Sequence, residues 1–387
     1  MASNDSHSGL NSKRLAYLTE VIKDDVKQGK YYGGVVAVAR HGVVGLHDAI
    51  GFEDPQGTRP VCKDSVFSLF SVTKAMTNAL VFRAIELGQF ALTTKVCSVI
   101  PEFSGGLREQ ITVMHLLTHS SGLPSVYSPQ PGMYIDRLAD IIAAICKNVH
   151  SLEPPGNHVN YSPMSNHALL GEMVRRVDPQ GRPFRHIIEE ELFKPLGMKD
   201  TSMGIRADLR ARHIKPDFRG NNRIDHLGHS NLGPNGAFEE EHADMPWVGV
   251  ASTAGDVLRF AEMLRRGGEL DGVRIVSPTI LKLSRRNWTG TKPNELYKSL
   301  AYSLGWDPFP AYIGMGFTLR GPSLCHTLFG TLSSPETFGN YGAGSTLFWV
   351  DPELDLTFVL LTAGVMTPGN NFERCQRLSD IAISAVT

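Results

Sequence analysis

The sequence predicts a mixed α/β (α+β) fold, in which an antiparallel sheet is flanked by helices and carries an inserted, mostly helical lobe. Two observations predict it. Runs rich in apolar and β-branched residues lie near both ends of the chain, at 35–46 and 347–362, which indicates one sheet built from both termini. Between them, from about 71 to 245, apolar residues recur at helical spacing and are interrupted by Pro and Gly.

The length of 387 residues bears on the domain organisation. A single hydrophobic core stops growing at about 250–300 residues, so this length suggests either two lobes or one domain with a large insertion, and we expect the second. Residues 1–65 and 246–387 are expected to form the sheet domain, and residues 66–245 the helical lobe. The functional site is expected to lie between them.

The first elements are a helix and a hairpin. Gly29 supplies the end of an amphipathic helix, whose buried face would hold Leu15, Leu18, Ile22 and Val26. Strands at 35–39 and 43–46 flank the short turn at 40–42, a pattern that is typical of an antiparallel hairpin.

The later elements follow the same patterns. Thr253 is placed to cap a helix that carries Val257 on its apolar face. A strand at 347–350 precedes the run 356–362, which is nearly continuous in apolar and β-branched residues, as in a central strand covered on both faces. The last helix is predicted from Leu378, Ile381 and Ala382.

Composition and charge argue against several classes of protein. The 38 Lys and Arg residues balance 39 Asp and Glu residues, so no nucleic-acid partner is expected. No apolar run approaches the roughly 20 residues of a membrane span, and the first residues lack a secretory-signal pattern, so we expect a cytoplasmic protein without a membrane partner. The five cysteines are never paired as Cys-x-x-Cys and are expected to be reduced and not to bind a metal. The sequence leaves the oligomeric state open.

Ser71 and Lys74 carry the clearest chemical signal. They lie three residues apart at the start of a helical pattern, so the Lys74 amine can reach the Ser71 hydroxyl on one helix face. The helix N-terminus adds positive potential where an oxyanion would form. Lys74 can act as a base only if its environment lowers its pKa from about 10.4. The alternative for this pair is a capping serine beside a surface lysine.

Four further segments resemble those of a known family. They are 116–123 (LLTHSSGL), 195–201 (PLGMKDT), 249–256 (GVASTAGD) and 348–352 (FWVDP). Together with Ser71 and Lys74, they are similar to the serine β-lactamase and penicillin-binding-protein superfamily, in its class-C-like branch of esterases and transesterases. That branch includes lovastatin-type acyltransferases and related carboxylesterases. The resemblance covers most of the chain and implies a β-lactamase-like fold with a serine nucleophile.

The resemblance also implies a catalytic tyrosine. A Pro-Gly pair at 155–156 precedes Tyr161, which fills the tyrosine position of the family's second catalytic element. An ammonium at Lys74 would favour the Tyr161 phenolate, which would take the Ser71 proton and pass it to the leaving alkoxide. Pro163 stands where β-lactamases of this class carry an asparagine that helps to hold the lactam amide. This departure disfavours efficient β-lactam hydrolysis.

The family's third element matches 338–344 (FGNYGAG). By resemblance, the N–H groups of Ser71 and Ala343 form an oxyanion hole, and substrate contacts come from Asn340, Tyr341 and Gly342. A glycine at 342 lets a substrate approach the strand. Because Asn340 replaces the usual cationic or aromatic residue, the carboxylate anchor for penicillin-like substrates is missing, and we infer an uncharged acyl donor. The alternative for this segment is a Gly-rich turn without function.

Other patterns carry weaker signals. His115 and His119 lie four residues apart, but no third ligand is evident, so we interpret them as structural. The acidic run 239–241 is expected to be a solvated loop. Residues 314–316 (GMG) lack the third glycine of a dinucleotide-binding loop, and no cofactor is predicted. Pocket walls are expected from the loops at 133–137, 217–229 and 297–309.

We therefore expect a serine hydrolase that acts on carboxylic esters of small molecules through an acyl-enzyme at Ser71. Two alternatives are kept. If an alcohol instead of water takes the acyl group, the protein is an acyltransferase (transesterase) acting on an alcohol such as a secondary metabolite. If catalysis has been lost, the chain is a scaffold of the same fold.

Overall fold

The computed structural model describes residues 8–218 and 240–387. Its helices are α1 (Ser12–Lys27), α2 (Thr73–Glu86), α3 (Val96–Val99), α4 (Val113–Leu117), α5 (Leu138–Asn148), α6 (Ser165–Val177), α7 (Phe184–Ile188), α8 (Ala254–Arg265), α9 (Pro278–Ser284), α10 (Glu295–Ser303) and α11 (Pro368–Ile383). Its strands are β1 (Gly33–Arg40), β2 (Val43–Gly51), β3 (Val66–Ser68), β4 (Ser202–Met203), β5 (His213–Ile214), β6 (Val250–Ser252), β7 (Glu269–Leu270), β8 (Val273–Arg274), β9 (Thr318–Leu319), β10 (Phe338–Gly342), β11 (Thr346–Asp351) and β12 (Leu356–Ala363).

Strands from both ends of the chain form one six-stranded antiparallel sheet, in the order β2-β1-β12-β11-β10-β9. The predicted hairpin β1–β2 turns through His41 and Gly42, which both have positive φ, at 53° and 78°. Its first strand pairs with β12 from Gly33–Ala363 to Arg40–Leu356. The predicted fold class, an antiparallel sheet with flanking helices, is confirmed.

The central strands β1, β11 and β12 are buried on both faces, and successive side chains along each of them point to opposite faces. In β1, Val35, Ala37 and Ala39 pack into the core that includes α8, where Phe260 contacts Phe348 edge-on at 5.7 Å. Side chains on the opposite face pack against α1 and α11. Burying one valine or leucine side chain contributes about 1.5–3 kcal/mol, so the two terminal helices are integral to the sheet.

A second, four-stranded sheet is not predicted by the sequence. Its order is β4-β6-β3-β5, with β3 antiparallel to β6 and parallel to β5. These strands contain only two or three residues each, too few for an alternating pattern to be recognisable. Three of them, β3, β4 and β5, lie in the region 66–245, which was expected to be mostly helical. The division into a sheet domain and a helical lobe stays a prediction.

Nowhere in the described ranges is there a helix with the length and apolar character needed to cross a bilayer. The five cysteines are free, and only Cys375 is fully buried.

Candidate active site

Ser71 lies in the short connection between β3 and α2. Residues Phe70–Val72 form one 3-10 turn, and α2 begins immediately after it. Phe70 has a φ of 51°, a left-handed conformation that costs a non-glycine residue on the order of 1–3 kcal/mol. Ser71 therefore lies at the N-terminal end of α2, at the base of a cavity, and its neighbour is held in a strained conformation.

Lys74 is buried with three oxygen atoms around its amine. Its Nζ lies 3.0 Å from Oγ of Ser71, 2.8 Å from the carbonyl oxygen of Pro163 and 2.9 Å from that of Trp247. The side chain is 1% exposed, and burial lowers the pKa of Lys74 well below its ordinary value of 10.5. A neutral amine has two N–H donors and one lone pair. In this neutral form the two carbonyls accept both N–H groups, which leaves the lone pair for the Ser71 hydroxyl.

Tyr161 approaches Ser71 from another direction. Its side chain is hydrogen-bonded to Ser71, and Nζ of Lys74 lies 5.1 Å from the centroid of its ring. Burial raises the pKa of Tyr161 above its ordinary value. The sequence led us to expect an ammonium at Lys74 that favours a phenolate. Burial acts against the charged form of both groups, and so against this pair of charges.

The segment 338–344 lies against the Ser71 turn. A Cβ atom on Gly342 would lie 2.2 Å from the carbonyl oxygen of Leu69 and 2.3 Å from Oγ1 of Thr346, so only glycine permits this approach. Oγ1 of Thr346 donates to the same Leu69 carbonyl at 2.7 Å. Ala343 lines the cavity that contains Ser71. Its role as an oxyanion donor stays a prediction.

Asn340 and Tyr341 lie further from the nucleophile. Asn340 donates through Nδ2 to the carbonyl of Gly316 at 3.3 Å and lines a second cavity. Tyr341 lines both that cavity and the one around Ser71. Asn340 therefore lines only the second cavity, whereas Tyr341 lies between the two cavities. Contact of either side chain with a substrate stays a prediction.

The cavity around Ser71, called the nucleophile cavity below, is apolar. Within the described residues no charged side chain lines it, and its walls include Phe70, Ile135, Met164, Trp247, Leu296 and Pro368. Ile135 belongs to the predicted pocket loop 133–137. The region 297–309 also contributes to the pockets, but its first part is helical, in α10. Of the loop 217–229, only the first two residues are described, and 219–229 lie outside the described residues.

The two histidines have separate partners. Nδ1 of His115 lies 3.2 Å from the backbone nitrogen of Thr112 and caps α4. Nδ1 of His119 accepts the backbone N–H of Ser162 at 3.0 Å, and the His119 ring contacts that of Tyr161 at a tilt of 33°, with centroids 4.6 Å apart. Both contacts agree with a structural interpretation.

Two of the sequence segments that carry the resemblance meet in the structure. Asp256, from 249–256, accepts the backbone N–H of Asp200 and the hydroxyl of Thr201, from 195–201, each at 2.8 Å. These segments therefore connect α8 to the chain that leads into β4. In the acidic run, Glu240 accepts a hydrogen bond from the Tyr134 hydroxyl at 2.9 Å, and position 239 lies outside the described residues.

Sequence reasoning missed the carbonyls of Pro163 and Trp247 that hold Lys74, because backbone acceptors carry no side-chain signal. Tyr297, at the start of the predicted pocket segment 297–309, lines both cavities from α10. The only available signal for Trp247 is its position two residues before the segment 249–256.

Curated relatives cover nearly the whole chain. Protein Rv1367c of Mycobacterium tuberculosis is 29% identical over 400 residues, covering 94% of this chain and 91% of that protein. Esterase EstB of Burkholderia gladioli is 27% identical over 386 residues, covering 90% of each chain.

Solved structures share the fold. A penicillin-binding-protein homologue from Caulobacter crescentus superimposes with a TM-score of 0.76 at 24% identity, covering 97% of this chain and 98% of that one. Simvastatin synthase (LovD) from Aspergillus terreus gives a TM-score of 0.73 at 17% identity, covering 96% and 98%. The sequence profile of the Beta-lactamase family matches residues 18–380. The chain belongs to the Beta-lactamase family of serine hydrolases, as its motifs predict.

Proposed function

We propose that this protein hydrolyses carboxylic esters of small molecules through an acyl-enzyme at Ser71. The observation that carries the proposal is the hydrogen bonding of Lys74, which leaves one lone pair for the Ser71 hydroxyl. A buried neutral amine at this distance is a suitable general base at neutral pH. The relative EstB, named an esterase, supports an ester as the substrate.

In the acylation step, Oγ of Ser71 bonds to the ester carbonyl carbon while its proton moves to Nζ of Lys74. The carbonyl oxygen becomes an oxyanion, and the N–H groups of Ser71 and Ala343 would stabilise it; one such donor is worth about 3–4 kcal/mol. The C–O bond to the alkoxide then breaks. Tyr161 gives its hydroxyl proton to the alkoxide and is reprotonated by the Lys74 ammonium, so both groups end neutral.

Deacylation repeats these steps with water as the nucleophile. Water gives its proton through Tyr161 and Lys74, attacks the acyl carbon and releases the carboxylic acid, and the proton returns to Oγ of Ser71. The apolar walls of the nucleophile cavity support an uncharged acyl group, in agreement with the absence of a cation at position 340.

Acyl transfer to an alcohol is the second candidate. The observation that favours it is the second cavity, which shares Tyr161, Tyr297 and Tyr341 with the nucleophile cavity. An alcohol bound there would meet the acyl-enzyme beside the proton-transferring Tyr161. A scaffold without catalysis is disfavoured, because burying Lys74 against Ser71 has a desolvation cost that a scaffold does not require.

The test is turnover of p-nitrophenyl butyrate by the wild type and Ser71→Ala, with and without added alcohols. We expect chromophore release that depends on Ser71. An alcohol that raises the release rate and appears as its butyryl ester identifies transfer. Equal rates of chromophore release by both proteins would refute Ser71 as the nucleophile.

A further inference from the structure

The second cavity, called the alcohol cavity below, contains polar groups that the proposed mechanism does not use. It extends from Tyr161 and Tyr341 past β9 and β10, and the side chains in its walls that are more than nine-tenths buried include His119, Arg320 and Asn340. The nucleophile cavity has no equivalent of this set.

His119 offers a hydrogen-bond donor. Its Nδ1 accepts the backbone N–H of Ser162 at 3.0 Å, and burial lowers the pKa of His119 to about 3, so the ring is neutral and its proton lies on Nε2. Nε2 has no protein partner within the described residues, and the side chain is 5% exposed while lining the cavity.

Arg320 offers a positive charge. Its guanidinium donates to the carbonyls of Gly321 at 2.8 Å, Ser323 at 3.2 Å and Thr331 at 3.0 Å. It forms no ion pair with a carboxylate in the described part of the chain, and its Nε has no hydrogen-bond partner there. No described Asp or Glu lines the cavity beside it, so within these walls Arg320 contributes positive potential without a facing carboxylate.

Asn340 offers an acceptor. Its Nδ2 donates to Gly316, whereas its Oδ1 has no partner within the described residues, although the side chain is only 8% exposed. A buried polar group without a partner is costly, and a bound ligand with a hydrogen-bond donor would offset that cost. The donor, cation and acceptor therefore line one enclosed space beside Tyr161.

We propose that the alcohol cavity binds the alcohol portion of the ester, and that this alcohol carries a carboxylate. The inference rests on the proposed ester chemistry at Ser71. The carboxylate lies in the field of Arg320, and His119 and Asn340 hydrogen-bond the polar groups of the alcohol. Tyr161, shared by both cavities, delivers its proton to the alkoxide on this side. The acyl portion stays uncharged in the nucleophile cavity, but the ester as a whole is anionic, which departs from the uncharged acyl donor expected from position 340.

The first test compares 4-acetoxybenzoate with its uncharged methyl ester, methyl 4-acetoxybenzoate, in the wild type. We expect the acetyl group of the anion to be removed with a kcat/KM at least about tenfold higher, the scale of one charge-assisted hydrogen bond. In Arg320→Gln this ratio falls towards one. Arg274→Gln, which removes one positive charge in the β7–β8 hairpin, keeps the wild-type ratio. Equal kcat/KM values for both esters in the wild type would overturn the proposal.

A binding measurement separates this inference from the ester chemistry. Calorimetry on Ser71→Ala compares 4-hydroxybenzoate with 4-hydroxybenzamide, and we expect the anion to bind at least about tenfold more tightly. Anion binding without turnover of any ester would refute the Ser71 chemistry and support the cavity assignment. Ester turnover without an anion preference would support the Ser71 chemistry and refute the cavity assignment. If Arg320→Gln fails to fold, the wild-type ratio and this binding measurement decide.

Discussion

At the scale of single residues, Lys74 is the group on which the proposed chemistry depends most. Its spacing from Ser71 could be predicted, because residues three apart share a helix face. The two carbonyls that accept its N–H groups could not, because they come from residues 163 and 247, which only the tertiary fold brings to it. The same holds for the neutral state of Tyr161, which is set by burial.

The lowered pKa of Lys74 predicts the pH dependence of activity. Only the neutral amine accepts a proton, so kcat/KM should fall as pH decreases through this pKa, and the fall should lie well below 10.5. A profile of p-nitrophenyl butyrate turnover from about pH 5 to about pH 10 measures it. Burial also raises the pKa of Asp244 to about 7, inside the measured pH range. Asp244→Asn, which removes this second titrating group, is therefore the control. Activity that keeps rising up to an ordinary lysine pKa would contradict the assignment of Lys74 as the base.

At the scale of elements, the close approach of β10 to the Ser71 turn is the feature most sensitive to a single methyl group. Gly342→Ala would place a Cβ atom 2.2 Å from the Leu69 carbonyl, which must separate the strand from the turn. We expect a loss of about 1–3 kcal/mol in unfolding free energy and a fall in kcat of about 100-fold.

The matched control for this substitution is Gly255→Ala near the start of α8. The nearest atom to its new Cβ would be 3.8 Å away, an ordinary contact, so stability and kcat should hardly change. Chemical denaturation and steady-state kinetics measure both variants. Wild-type kcat in Gly342→Ala would show that this strand does not position the oxyanion hole.

The contact between α8 and the segment before β4 is a second prediction at this scale. Asp256→Ala removes the acceptor of two hydrogen bonds from Asp200 and Thr201, and we expect a loss of about 1–3 kcal/mol in unfolding free energy. Asp208→Ala, at an exposed pair with Arg206, should change it by less than about 0.5 kcal/mol. Urea denaturation compares them, and equal losses would show that Asp256 has no special role.

The predictability of elements from the sequence follows their length. Helix α1 and strands β1 and β12 contain enough residues for their apolar period to be read. The strands of the second sheet do not, and their pairing depends on contacts between segments far apart in the sequence. The long elements and the family resemblance therefore allowed the fold to be predicted from the sequence. The second sheet, made of β3, β4, β5 and β6, could not be predicted.

At the scale of the whole molecule, one face of the six-stranded sheet is covered by the helices at the two ends of the chain. Helix α11 covers the face that holds Trp349 and Phe358, and Ser379 accepts the Trp349 indole N–H at 2.9 Å. Leu378→Ala should therefore lower the unfolding free energy by about 2–5 kcal/mol. Glu373→Ala, at an exposed position of the same helix, should change it by less than about 0.5 kcal/mol. Thermal denaturation followed by circular dichroism decides, and a Leu378→Ala protein as stable as the control would show that α11 contributes little to the core.

The most direct test of the central proposal is the intact mass of the protein shortly after mixing with p-nitrophenyl butyrate, followed by peptide mapping. We expect a transient adduct of one butyryl group, located on Ser71, that is absent from Ser71→Ala. An adduct on another residue, or turnover of the ester by the Ser71→Ala protein, would contradict an acyl-enzyme at Ser71.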